Sequence, residues 1–278
     1  MKKTYSLLVL FIFAISFHSV CSAKPSFKKV MIVVFENTDY ATTMKQPFFA
    51  EFAKVGANLE NMSALTHPSQ GNYISMISGE TYKIINDNKV DLKATHIGDL
   101  IEAKKLTWKV YAEDYPGNCF KGETAGDYVR KHIPFMSFIN VSTNPVRCKN
   151  IVNASQLDSD INSASLPNYS MYIPNLKNDG HNTGVAFANQ WFSKKFGPLM
   201  KDAKFMNEML LIVTFDEAES HTTNQIYTAM YGDSVIAGAT SKKSYDHYSI
   251  LKTIEAAWDL GSLHQQDEKA EAITDILK

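Results

Sequence analysis

Lys29-Val30-Met31-Ile32-Val33-Val34-Phe35 runs straight into Glu36-Asn37, and Leu210-Leu211-Ile212-Val213-Thr214-Phe215 runs in the same manner into Asp216-Glu217. Unbroken apolar runs of this length read as strands buried on both faces, the pattern of a parallel sheet's centre. Trp108 to Ala112, Tyr169 to Ile173 and Ser234 to Gly238 read as further strands. Between them lie helix-like stretches: Gly98 to Lys105, Thr183 to Leu199 and His247 to Leu260. In the last of these, Ile250, Leu251, Ile254, Ala257 and Trp258 share one face, and Gly261 stands where a left-handed cap would stop the helix. Strand and helix in alternation predict an α/β sandwich around a mostly parallel sheet.

The carboxyl ends of central strands line the ligand crevice of such a sheet. Glu36, Asn37, Asp216 and Glu217 would therefore meet at one rim. Crowded carboxylates repel each other, and a divalent cation removes that cost while supplying a Lewis acid. Either acidic pair alone also fits a solvated loop start; their repetition after near-identical strands favours a metal site.

His67-Pro68-Ser69-Gln70-Gly71-Asn72-Tyr73 precedes the helix-compatible Ile74-Ser75-Met76-Ile77. A serine at a helix start lies near free N–H groups and the positive end of the dipole, which suits a bound anion. It also suits plain N-capping. His181 falls in the turn-rich Pro174 to Asn182, and His247 follows Tyr245-Asp246 at the start of the last helix. Each has an Asp within two residues, able to fix a tautomer. His96 and His221 read as structural by default.

The remaining composition narrows the setting. Of 278 residues, 45% are hydrophobic and 21% charged, which excludes collagen-like, disordered and multi-span membrane chains. The net charge of -1 leaves no basic field to collect nucleic acid. Lys2 and Lys3, the apolar run from Leu7 to Phe17 and small residues ending at Ala23 form the three-part pattern of a secretory signal peptide, residues 1–23. The run is short for an uncleaved anchor, and the residues before Cys21 make a poor lipidation signal. The expectation is an exported protein, periplasmic or secreted, with a single domain over residues 24–278. Cys119 and Cys148 remain as an even pair, and an oxidising compartment makes one disulfide the default reading.

Taken in order, Phe35-Glu36-Asn37-Thr38-Asp39-Tyr40, His67 to Tyr73, Pro174-Asn175 to His181, Thr214-Phe215-Asp216-Glu217 and Tyr245-Asp246-His247-Tyr248-Ser249 resemble the phosphoesterase family of bacterial and fungal acid phosphatases and non-specific phospholipases C. Ile97-Gly98-Asp99-Leu100 with Trp108, Tyr111-Ala112-Glu113-Asp114, and Asp127-Tyr128-Val129-Arg130-Lys131-His132 are similar to the acid phosphatase branch. The likeness implies an alkaline-phosphatase-like α/β/α fold. It implies Glu36, Asn37, Asp216 and Glu217 as metal ligands, Ser69 as a transiently phosphorylated nucleophile, and Asn72, His181 and His247 around the phosphoryl oxygens. His67 receives no role.

Phosphoryl transfer needs an aligned nucleophile and positive charge about the equatorial oxygens, which this set would supply. If both His181 and His247 must be cationic, activity peaks below neutral pH. One divalent cation, Ca²⁺, Mg²⁺, Mn²⁺ or Zn²⁺, is expected: oxygen ligands suit the first three, while Zn²⁺ usually recruits His or Cys as well; Asp179, His181 and His247 would form a second, zinc-like position only in the two-metal alternative, from which the spacing of Asp179 and His181 departs. Ala218-Glu219-Ser220-His221 replaces the His and two Gly of the phospholipase branch, favouring a small phosphorylated substrate over phospholipid headgroups. Phospholipase C is the runner-up. A non-catalytic binder of a phosphorylated ligand is the distant alternative.

Overall fold

The computed structural model describes residue 1 and residues 26–278; the signal-peptide reading at 1–23 lies outside the described residues. Eight strands form the main sheet: β1 (Lys29–Phe35), β2 (Ala57–Leu59), β3 (Trp108–Ala112), β4 (Ile151–Asn153), β5 (Tyr169–Ile173), β6 (Met209–Phe215), β7 (Thr228–Tyr231) and β8 (Ala239–Ser241). Their order across the sheet is β8-β2-β7-β6-β1-β5-β3-β4. Only β7 runs antiparallel to its neighbours. β1 lies parallel between β5 and β6, with Phe35 opposite Phe215, so the two apolar runs end level with one another.

Both faces of the sheet are covered. Successive strand residues point to opposite sides, and on β5 Tyr172 packs against Trp191 and Phe196 of helix α5, whereas Tyr169 faces Phe135. In chain order the principal helices are α1 (Pro47–Val55), α2 (Gln70–Ser78), α3 (Ile97–Ala103), α4 (Gln156–Asn162), α5 (Val185–Leu199) and α6 (His247–Trp258). Phe35 of β1 touches Phe49 of α1 and Phe192 of α5 edge-on, tying those helices to one face. α2 is buried along its whole length and packs on α6. It is therefore an internal helix, and its N-terminus is held fixed beneath the ends of β1 and β6.

Two local expectations are corrected. Ser234 to Gly238 is a turn with one isolated bridge, Val235 to Leu277, rather than a strand. The strand next to β6 is Thr228–Tyr231, whose threonine hydroxyl bonds Thr214 across the pair at 2.6 Å. α6 ends at Trp258, with Asp259 at φ 54° as its left-handed cap in place of Gly261. Cys119 and Cys148 are joined by a disulfide, Cα to Cα 5.5 Å. Among the described residues no helix is long and apolar enough to cross a membrane.

Candidate active site

Glu36 leaves the end of β1 and Asp216 and Glu217 leave the end of β6, and the backbone sews these ends together. Asp216 N–H donates to the Phe35 carbonyl at 2.9 Å, Thr38 N–H to that of Glu217 at 3.3 Å and Glu36 N–H to that of Asp179 at 3.1 Å. The third loop, after β5, thereby joins the rim. Asn37 Nδ2 donates to Glu217 Oε1 at 2.7 Å, and its backbone N–H to Asp216 Oδ1 at 3.3 Å.

Ser69 stands at the N-terminus of α2 but does not cap it with its side chain. Its hydroxyl lies 3.3 Å from Glu36 Oε2 and 3.3 Å from Glu217 Oε1, buried between the two carboxylates. Asp87 takes over the capping work, accepting from Gln70 N–H at 3.1 Å while Lys131 Nζ bonds its other oxygen at 2.6 Å. A capping serine would point back at the helix; this one points into the acidic cluster.

Asn72 braces the turn before Ser69. Its Oδ1 accepts from the N–H groups of Leu65 and Thr66 at 2.9 and 3.1 Å, and Nδ2 donates to the Thr66 carbonyl at 2.8 Å. The same Nδ2 lies 3.4 Å from Glu217 Oε2. His67 places Nδ1 2.8 Å from that oxygen and has the ring of the exposed His221 against it, centroids 4.2 Å apart. Burial lowers the His67 pKa and lifts that of Glu217 to about 7, so each partner is biased toward its neutral form. The contact is a hydrogen bond before it is an ion pair.

The wider cluster reaches residues to which the sequence reading gave no function. Tyr73 hydroxyl donates to Glu36 Oε1 at 2.6 Å, and His132 Nε2 lies 3.2 Å from the same oxygen. His132 Nδ1 faces Asp179 Oδ2 at 3.7 Å. Glu36, His132 and Asp179 are all buried, with donor atoms within 4.8 Å of one another, a group that could hold a metal ion. His132 ends a segment already quoted for its family likeness; only its contact with Glu36 was invisible.

Electrostatics agree with a cation-seeking rim. Burial, with Asp179 close by, raises the Glu36 pKa well above its ordinary value; burial, with Glu36 and Glu217 adjacent, does the same for Asp216. Asp179 is raised to about 8, chiefly by burial. Asn37 Oδ1, Asp216 Oδ2 and Asp179 Oδ2 are buried atoms without a hydrogen-bond partner. Such atoms are costly unless satisfied, and oxygens of this kind around crowded carboxylates fit a divalent cation.

His247 begins α6, capped by Asp246, and its Nε2 lies 2.7 Å from the Asp216 carbonyl, placing it as a donor there. Burial pushes its pKa down to about 4. Burial thus favours the neutral imidazole there. His181 lies exposed on the loop after Asp179, its Nδ1 3.1 Å from Asn182 Oδ1 and its N–H on Asp179 Oδ1 at 2.8 Å. His96 is structural: its Nδ1 accepts from Gly98 N–H in a capping box on α3.

Comparison with known proteins gives the constellation its context. The chain is 35% identical over 261 residues to a probable acid phosphatase of Kluyveromyces lactis, covering 89% of this chain and 62% of that one. It is 31% identical to an acid phosphatase of Aspergillus fumigatus, over 87% of this chain and 57% of the relative. It is 34% identical to a phosphatidylinositol-3-phosphatase of Mycobacterium tuberculosis, covering 86% and 79%. The chain thus spans about three-fifths of the length of those acid phosphatases. A solved alkaline phosphatase superfamily protein from Vibrio parahaemolyticus superposes with a TM-score of 0.60 over 93% of this chain and 76% of that one, at 12% identity, which shows a shared fold. The model of the phosphoesterase family matches residues 36–261, from the first acidic residue of β1's end to the turn after α6, and the chain belongs to that family.

Proposed function

We propose that this protein is an exported, metal-dependent phosphoesterase, an acid phosphatase that hydrolyses phosphate monoesters through a phosphoserine at Ser69, its catalytic domain spanning residues 24–278. The observation that carries the reading is the Ser69 hydroxyl, turned away from its helix and onto Glu36 and Glu217. Glu36, Asn37, Asp216 and Glu217 would hold one divalent cation, whose chemistry when bound is to stabilise negative charge on oxygen. Its identity among Ca²⁺, Mg²⁺, Mn²⁺ and Zn²⁺ is left to elemental analysis.

The chain's own residues set the geometry. Ser69 would give its proton to Glu36 or Glu217, each 3.3 Å away, as its oxygen attacks phosphorus. The Asn72 amide is fixed by its bonds to Leu65 and Thr66, and its second N–H, 3.4 Å from Glu217 Oε2, would turn from that long contact to a phosphoryl oxygen. His247 and His181 would complete the set around the phosphoryl group. His247 holds its proton on Nε2 against the Asp216 carbonyl, leaving Nδ1 as an acceptor, whereas the exposed His181 would protonate the departing alcohol. Attack by water on the phosphoserine completes turnover.

The named acid phosphatases among the relatives support an acidic optimum, and the phosphatidylinositol-3-phosphatase supports monoester hydrolysis with a lipid-borne substrate as one option. Phospholipase C activity is the competing reading. Release of inorganic phosphate from p-nitrophenyl phosphate, compared with release of phosphocholine from phosphatidylcholine vesicles, decides between them. The expected result is a monoester preference of about a hundredfold or more in kcat/KM, ΔΔG‡ of roughly 3 kcal/mol; preference for the lipid overturns the assignment.

A further inference from the structure

His67 stands two residues ahead of Ser69, on the approach to α2. Its Nδ1 lies 2.8 Å from Glu217 Oε2, while its Nε2 is buried without a partner. His96, which serves the fold, spends both nitrogens on its surroundings: Nδ1 on Gly98 N–H and Nε2 on Asn140 Oδ1, each at 3.1 Å. His67 instead commits one nitrogen to the candidate site and the other to nothing. Its polar contribution is therefore the single bond to Glu217.

The contacts of Glu217 divide by oxygen. Oε1 faces Asn37 Nδ2 at 2.7 Å and the Ser69 hydroxyl at 3.3 Å. Oε2 faces His67 Nδ1 at 2.8 Å and Asn72 Nδ2 at 3.4 Å. As a cation ligand Glu217 is ionised, and a carboxylate only accepts, so the hydrogen of the His67 bond sits on Nδ1. Of the two donors on Oε2, the imidazole is at ordinary hydrogen-bond length and the amide lies beyond it. Oε2 is satisfied by the histidine, and the asparagine is at liberty to leave.

We propose that His67 is a positioning residue for phosphoryl transfer: through Nδ1 it holds the Glu217 carboxylate against Ser69 and the cation, and by occupying Oε2 it frees the Asn72 amide for a phosphoryl oxygen. For its catalytic consequence the proposal rests on the monoesterase reading above. Without His67, Asn72 becomes the remaining donor to Oε2 and is drawn onto the carboxylate, away from phosphate.

The test uses His67→Ala, His67→Asn and His67→Gln in the full-length protein. An asparagine amide nitrogen takes the place of Nδ1, which bonds Glu217, whereas that of glutamine takes the place of Nε2, which bonds nothing. Mn²⁺ affinity, read by competition with a chromogenic chelator, should fall by about tenfold in His67→Ala and His67→Gln and return to within about threefold of the parent in His67→Asn. Turnover of p-nitrophenyl phosphate at saturating Mn²⁺ should follow the same order, with kcat down by about tenfold in the first two. Calorimetry with inorganic phosphate on Ser69→Ala should show binding about threefold weaker or more once His67→Ala is added. Equal behaviour of His67→Asn and His67→Gln, or a His67→Ala protein with parental Mn²⁺ affinity, overturns the positioning role. A parent that binds Mn²⁺ but leaves p-nitrophenyl phosphate intact overturns the monoesterase reading instead, and the contrast between His67→Asn and His67→Gln in Mn²⁺ affinity then decides the bond to Glu217 by itself.

Discussion

Oε1 of Glu217 lies 3.3 Å from Oγ of Ser69 across a sequence separation of 148 residues. The serine heads an internal helix and the glutamate ends a central strand, so neither can move without disturbing the core. Because Asp87 covers the Gln70 N–H, the hydroxyl is free of structural duty. Ser69→Ala should abolish turnover by on the order of 10⁴-fold or more. Its unfolding midpoint in urea should stay within about 0.5 kcal/mol of the parent. A large loss of stability with modest loss of kcat would reassign the residue as a cap.

Chelation should make stability fall as pH rises. The carboxyl pKa values of Glu36, Asp179, Asp216 and Glu217 are raised in the folded state by burial and mutual repulsion. In the unfolded chain such groups titrate near 4. A raised folded pKa contributes stability that is full below about pH 4 and lost as pH climbs through the folded values, about 7 for Glu217 and about 8 for Asp179. Thermal unfolding in chelator should therefore show Tm declining from pH 5 to pH 8. Added divalent cation should raise Tm more at pH 8 than at pH 5; equal rises at both would refute this account.

Tyr73→Phe removes the 2.6 Å bond that fixes Oε1 of Glu36. Outer partners of metal-binding carboxylates typically account for 10–100-fold in affinity. Cation affinity, read by competition with a chromogenic chelator, should drop by about tenfold while far-ultraviolet circular dichroism is unchanged. Unaltered affinity would mean that His132 alone orients Glu36.

Gly232 marks a close backbone approach: its φ is +148°, and an added Cβ would sit 2.2 Å from the Met209 carbonyl oxygen at the start of β6. Gly232→Ala should cost about 2 kcal/mol or more in urea unfolding, from strain plus displacement of a central strand. A loss below about 0.5 kcal/mol would show that the turn yields.

The Cys119–Cys148 bridge joins positions 29 apart in sequence and closes a loop that carries Lys131 and His132. Replacing both cysteines with serine should destabilise the protein by about 3.5 kcal/mol on the loop-entropy account. Reductant should lower the parent's unfolding midpoint and leave the double variant's unmoved; an equal response in both would remove the bridge from the account.

Much of the sheet was legible because β1, β3, β5 and β6 are runs of apolar residues too short for buried helices and flanked by turns. The miss at Ser234 to Gly238 has a physical reason: a short apolar stretch is equally a strand or a buried turn, and only the pairing of Thr228 with Thr214 selects the segment that joins the sheet. The site was legible where residues follow strand ends directly, as with Glu36 and Glu217. Tyr73, Asp87 and Lys131 carry no comparable local signal, since each acts by what lies across from it.

Chain order alone determined that two apolar strands end in acidic residues, that a serine opens a helix and that Cys119 and Cys148 are available as a pair, because periodicity, capping and composition are local properties. Tertiary structure decided which atoms meet. Parallel registry levelled Phe35 with Phe215, and burial of α2 turned Ser69 onto two carboxylates. Exclusion of water then shifted the proton affinities of His247 and Glu217 in opposite directions, lowering one and raising the other. Desolvation and distance belong to the packed molecule, and no reading of neighbours along the chain contains them.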